Sequence, residues 1–231
     1  MIISHKHKYV FIQIEKTASS AMAKELCTNY NGKHILWKHA SYDDFLKKAN
    51  NLEKKYFSFA GVRNPLDTAV SRYHLRKEGI GSKHCKINRN MRNFISENDA
   101  DFNAYFLKFY DRNIGNERSM IDLMKIDKIY YYENLDDDFE NILNEIGLKK
   151  KRLVPIVNKT TGKNSDFKNY YSKKCQKVSK IIYSDYMEKF AYEFPEGWAK
   201  PNLLEYIYYK SRFNVRFFTY RMIKFFRGLL N

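Results

Sequence analysis

The chain is poor in the residues that cross-link, anchor or neutralise a protein. Its three cysteines, Cys27, Cys85 and Cys175, are far apart, odd in number and in no C-x-x-C pair. That excludes a disulfide framework and points to a reducing compartment. His84-Cys85 is the single adjacent pair of soft ligands, and it has no partners at metal-binding spacing, so no metal is expected. Long hydrophobic runs are missing too, which excludes a membrane-spanning helix. Lys6 and Lys8 interrupt the first apolar residues, so no signal peptide is expected and the expected location is cytoplasmic. No internal repeat is visible. Acidic residues are outnumbered, 26 against 42 basic, for a formal net charge of +16. This favours phosphate, sulfate, nucleic acid or an anionic membrane as partner, without choosing among them.

What is present suits one domain of ordinary size, or one domain with an appendage. At 44% hydrophobic residues the chain can bury a core and lacks the composition of a disordered protein. Tyr9 to Ile14 is a short β-rich apolar run. A polar stretch, Glu15 to Ser20, follows, and then the helix formers Ala21 to Leu26. Strand, polar turn and helix is the layout of a phosphate-binding loop, because N–H groups at a helix N-terminus favour anions. Lys16 adds a charge, Thr17, Ser19 and Ser20 add hydroxyls, and Ala18 is small enough for close backbone approach. The Walker pattern demands glycines that this turn lacks, so an ordinary ATP or GTP cradle is not indicated. The plain alternative is a buried strand followed by a capped helix.

Further along, His34 to His39 is a second strand candidate. Ser41 reads as the N-cap of a helix to about Ala49, with Asp43 and Asp44 in its first turn. Tyr56 to Val62 is a third strand, and Pro65 suits the first turn of a helix from Leu66 to Lys77. Glu78 to Asn90 reads as a surface loop, with short helices near 91–97 and 100–110. Lys128 to Tyr132 is a fourth strand. A helix opened by Asp136, Asp137 and Asp138 is closed by Gly147. Leu153 to Gly162 reads as loop and Tyr170 to Phe190 as helix. Alternating strands and helices predict an α/β fold with a central parallel sheet. Ligands in such sheets sit at the carboxyl ends of strands. The turns at Glu15–Ser20 and at Arg63-Asn64-Pro65 both fall there.

Glu15-Lys-Thr-Ala-Ser-Ser20 resembles the 5′-phosphosulfate loop of sulfotransferases. Val62-Arg-Asn-Pro-Leu-Asp-Thr-Ala-Val-Ser-Arg-Tyr73 resembles their 3′-phosphate motif. The likeness continues through Tyr132-Glu-Asn-Leu135, Val157-Asn-Lys159 and the stretch around Tyr183 to Tyr192. In that order these segments resemble carbohydrate sulfotransferases related to heparan 2-O-sulfotransferase, over roughly residues 8 to 194. One departure is Glu15, where the family commonly has proline. The resemblance implies a P-loop-like three-layer fold, with the parallel sheet flanked by helices. It implies sulfuryl transfer from 3′-phosphoadenosine 5′-phosphosulfate to a hydroxyl of a carbohydrate or glycan, without metal. Lys16 would neutralise the breaking bond, and Thr17, Ala18, Ser19 and Ser20 would hold the 5′-phosphate. Arg63 and Ser71 would hold the 3′-phosphate. His39 would be the general base, since imidazole, with an ordinary pKa of about 6.5, suits proton removal at neutral pH. A surface role is the plain alternative for His39; His34 and His74 are in reserve. Lys159 is a candidate acceptor contact. The acceptor class is a glycan or a lipid-linked sugar.

Two other readings remain open, a P-loop-type kinase and a basic nucleic-acid-binding domain. No helix-turn-helix, RNA-recognition or zinc pattern supports the second, so no nucleic acid is expected. Phe194 to Trp198 is a break that divides a sulfotransferase domain, 1–198, from a tail, 199–231. On a helical wheel Leu204, Ile207, Val215, Phe218, Met222, Phe225, Phe226 and Leu229 fall on one side of that tail, with basic residues opposite. Such a helix suits an anionic membrane surface, here the inner face, or packing on the domain or a second subunit. Oligomeric state is left open.

Overall fold

The computed structural model describes residues 1–79, 86–112, 120, 123–155, 157, 162–164 and 166–229. The chain forms two compact units, Met1–Asn64 with Glu117–Lys159, and Pro65–Asn116 with Thr160–Asn231.

The first unit holds a five-stranded sheet. Its strands are β1 (Ile2–Ser4), β2 (Tyr9–Ile12), β3 (Lys33–His34), β4 (Phe57–Val62) and β5 (Lys128–Tyr131), in the spatial order β3-β1-β2-β4-β5. β2, β4 and β5 are parallel, as expected. β1 is antiparallel to both its neighbours, so the sheet is mixed rather than wholly parallel. The cause is local: β1 returns into β2 through residues 5–8, with Lys8 at φ 52°, and so short a connection permits only an antiparallel pair. The second strand candidate shrinks to Lys33–His34. Leu36 adopts φ 53° and Ala40 N–H closes a turn onto the Trp37 carbonyl, which ends the extended run.

Helices α1 (Ser19–Asn29), α2 (Tyr42–Lys48) and α6 (Leu135–Glu145) belong to this unit. Ser41 and Asp44 form a reciprocal capping box at the start of α2, as the sequence predicts. Gly147 follows α6 at φ +73°, and Leu148 N–H reaches back to the Leu143 carbonyl. The core is aromatic: Phe11 stacks on Phe59 at 5.1 Å, and Met22, Leu26, Phe139, Ile142 and Leu143 close over it.

The second unit is helical: α3 (Pro65–Lys77), α4 (Lys86–Glu97), α5 (Phe102–Phe109), α7 (Lys173–Lys189) and α8 (Leu203–Leu229). Lys86–Asn90 is helical rather than loop, and α4 has a strong apolar side. Residues 167–170 form a 3₁₀ turn, so the long helix starts at Lys173, capped by Ser172. The core gathers Leu66, Tyr73, Phe102, Phe106, Tyr171 and Ile182, among others.

Candidate active site

The turn after β2 spans Glu15–Ala18 and opens α1. Lys16 (φ 67°) and Ala18 (φ 58°) both lie in the left-handed region. Without glycine, each costs about 1–2 kcal/mol, strain of a kind that concentrates at functional sites. Two carbonyls of the turn are gripped from outside, and one bond closes its root from within. Thr17 Oγ1 donates to Ile14 O at 3.0 Å, Arg63 Nη1 donates to Lys16 O at 3.0 Å, and Tyr130 Oη donates to Thr17 O at 2.8 Å. With carbonyls turned outward, a chain of alternating conformation aims its N–H groups the other way, as anion-binding nests do. Ser19 and Ser20 begin α1, and no side chain caps it. Ala21 N–H turns back to the Ala18 carbonyl at 2.9 Å, so the N–H groups at the helix start that suit an outside acceptor are those of Ser19 and Ser20. The Thr17 hydroxyl hydrogen, expected to serve a ligand, is committed to the turn itself. Glu15 is exposed.

The Arg63 turn is braced in its own way. The guanidinium lies 3.8 Å from the centre of the Tyr132 ring, and Glu133 Oε1 accepts from Asn64 N–H at 2.9 Å. The Tyr132-Glu-Asn-Leu135 segment thus steadies the arginine turn from the end of β5. Lys16 and Arg63, 47 residues apart, meet at the carboxyl ends of neighbouring parallel strands.

His39 joins the same neighbourhood through Gln13, the residue after β2. Its Nδ1 is 2.8 Å from the Gln13 carbonyl oxygen. A carbonyl only accepts, so Nδ1 carries the hydrogen and the neutral ring presents its lone pair at Nε2. The Gln13 side chain is buried. It donates to Ser19 O at 3.2 Å and accepts from the Met1 nitrogen at 2.8 Å, tying His39, the loop root and α1 together. Sequence reading missed Gln13, and nothing in its local spacing marks it. In the sequence Tyr130 is one residue of the strand expected over Lys128 to Tyr132. The cross-strand pairing of Tyr130 with Gly61 is the signal that could have found it: a Cβ on Gly61 would sit 2.3 Å from Tyr130 Cζ. The glycine lets the ring lie flat across β4 and reach the loop.

The other expected residues belong to other elements. Ser71 is on α3 of the second unit, fully buried, and its hydroxyl has no hydrogen-bond partner among the described residues. His74 shares a hydrogen bond with Tyr170 at 3.0 Å in that unit, and His34 is exposed on β3. Lys159 falls outside the described residues.

An α/β sheet with an anion-directed turn and an arginine brace at adjacent strand ends defines a nucleotide- or oxyanion-handling protein. Residues 1–194 match the Sulfotransferase family, and the chain belongs to it. It is therefore a sulfuryl-transferring enzyme. Among solved structures it is similar to mouse sulfotransferase SULT7A1 complexed with PAP, at 14% identity, 82% coverage of this chain, 90% of that chain and a TM-score of 0.43. No curated protein sequence matches it.

Proposed function

We propose that the enzyme transfers a sulfuryl group from 3′-phosphoadenosine 5′-phosphosulfate to a hydroxyl of a carbohydrate or glycan. The observation that carries this reading is the Arg63–Lys16 hydrogen bond, which joins the two motifs assigned to the two phosphorylated ends of one donor. Residues 16–20 would hold the 5′-phosphate through backbone N–H groups. Lys16 would neutralise charge on the bridging oxygen as its bond to sulfur breaks. Arg63 offers a rigid fork of donors for the 3′-phosphate.

In the transfer itself the acceptor oxygen bonds to sulfur and the sulfur–oxygen bond to the nucleotide phosphate breaks. The acceptor proton passes to His39 Nε2, and 3′-phosphoadenosine 5′-phosphate leaves. As in phosphoryl transfer, positioning and charge stabilisation supply most of the catalysis. The carbohydrate acceptor is supported by the ordered motifs shared with carbohydrate sulfotransferases, and by the basic charge, which suits an anionic polysaccharide or lipid-linked sugar.

A binding comparison tests the donor. The full chain is expected to bind 3′-phosphoadenosine 5′-phosphate in preference to ADP, and Arg63→Ala to weaken the former by about 2–5 kcal/mol. Equal affinity for the two nucleotides would count against the assignment. Labelled sulfate transfer to polysaccharide and lipid-linked sugar acceptors, with phenols as the contrast, tests the acceptor class.

A further inference from the structure

α8 is apolar on two faces, and the described residues cover only one of them. The covered face packs within the second unit. Phe213 is 2% exposed, Tyr209 meets Tyr110 edge-on at 5.2 Å, and Lys177 pairs with Glu205 at 2.9 Å. At 3.6 residues per turn, Leu204, Ile207, Ser211, Val215, Phe218 and Met222 fall within about 80° of arc on another face. That face is open: Leu204 is 78% exposed, Val215 67% and Phe218 64%. From Leu204 to Met222 the stripe is about 27 Å long at 1.5 Å per residue. A stripe this long and this apolar, left uncovered, marks an interaction surface.

The flanks say what covers it. Lys210, which pairs with Asp185 at 3.1 Å, borders one side of the stripe, and Arg212 and Arg216 border the other. Arg212 lies 3.8 Å from Asp111 and 2.9 Å from the Tyr208 hydroxyl, whereas Arg216 has no ion pair among the described residues. Beside the stripe is a recess of about 330 Å³, lined by Asp111, Ser211, Arg212, Val215, Arg216 and Thr219. Two guanidinium groups and two hydroxyls there outweigh one carboxylate. A second copy laid along the stripe would bring cation against cation. Nucleic acid would leave the apolar residues in water. Lipid headgroups neutralise the flanks while acyl chains take the stripe, the arrangement of an interfacial helix. Among the described residues no helix is long and apolar enough to cross a membrane.

We propose that the exposed face of α8 docks the enzyme flat on a bilayer containing anionic phospholipid, with the Arg212–Arg216 recess receiving a headgroup phosphate. This stands independently of the donor and acceptor assignments. The full chain is mixed with phosphatidylcholine vesicles, with and without phosphatidylglycerol, and sedimented. It is expected to partition onto the anionic vesicles, and more weakly as salt rises. Phe218→Glu is expected to cut partitioning tenfold or more, and Arg216→Glu several-fold, with the melting temperature and nucleotide affinity unchanged. Leu204→Glu, at the far end of the stripe, is an independent variant should Phe218→Glu fail to fold. Absence of partitioning, equal partitioning onto neutral vesicles, or partitioning undiminished by these variants would overturn the proposal. So would a dimer in sedimentation velocity that Phe218→Glu dissociates, which would give the stripe to a second copy.

Discussion

Tyr130 commits its hydroxyl to a backbone carbonyl. Full burial pushes its pKa up, so it remains a donor across the physiological range. Tyr130→Phe keeps the ring over Gly61 and removes only the bond to Thr17 O. A buried carbonyl left unpaired costs about 1–3 kcal/mol. The variant is therefore expected to melt lower and to bind 3′-phosphoadenosine 5′-phosphate more weakly, because the loop loses one of its two outside anchors. Calorimetry and nucleotide titration check both parts; unchanged nucleotide affinity would make Tyr130 a packing residue alone. His39 is expected to separate the other way. Its hydrogen bond to the Gln13 carbonyl holds Nδ1 and points to Nε2 as the proton acceptor, so His39→Ala is expected to slow sulfuryl transfer about 10²–10⁴-fold. Nucleotide affinity should stay within twofold, a split that single-turnover rates and binding measurements together would reveal.

The turn between β2 and α1 shows at the scale of an element what pattern reading can and cannot reach. Apolar runs located β2, β4 and β5, and cap chemistry located α2 and the end of α6, because those signals lie within a few residues of what they predict. β1 escaped because three apolar residues at the chain start carry no period of their own; pairing with β2 makes them a strand. The Lys-Thr-Ala-Ser-Ser composition marks the turn, but not what holds it. Its anchors come from 47 and 113 residues away, and such separations leave no spacing to read. The left-handed Ala18 also has a testable consequence. Ala18→Gly removes strain of about 1–2 kcal/mol but adds unfolded-state freedom worth about 0.4–1 kcal/mol, so it is expected to be neutral to mildly stabilising. Ala18→Val, with a branched Cβ at φ 58°, is expected to lower both stability and nucleotide affinity in thermal melts and titrations.

Across the whole molecule, the loop, Arg63 and His39 belong to the first unit, whereas α8 belongs to the second. The second unit also carries a pH response. Burial is the main cause that lowers the His74 pKa below 6.5; nearby Lys77 and Lys163 lower it further, and Glu78 opposes them. The unfolded chain then binds more protons than the folded one near and below pH 6.5, so stability falls as pH drops through that range. Melting temperature is expected to decline from pH 7 to 5.5, with a shallower slope in His74→Gln. A second expectation concerns where the folded enzyme ends. The family match stops at residue 194, and the sequence break at 194–198 invites a cut there. Yet Tyr209 and Phe213 pack into the second unit, and burial of Phe213 alone contributes about 1.5–3 kcal/mol. A chain ending at residue 200 would bare Tyr110 and lose the Lys177–Glu205 pair as well. It is expected to melt several degrees lower and to aggregate. A chain ending at residue 217 keeps the packed face and loses Phe218 and Met222 from the open one, so it is expected to melt with the full chain while binding anionic vesicles poorly. If instead the 200-residue form melts as high as the full chain, the packing of α8 contributes nothing to the fold, and the tail is an appendage as composition alone suggests.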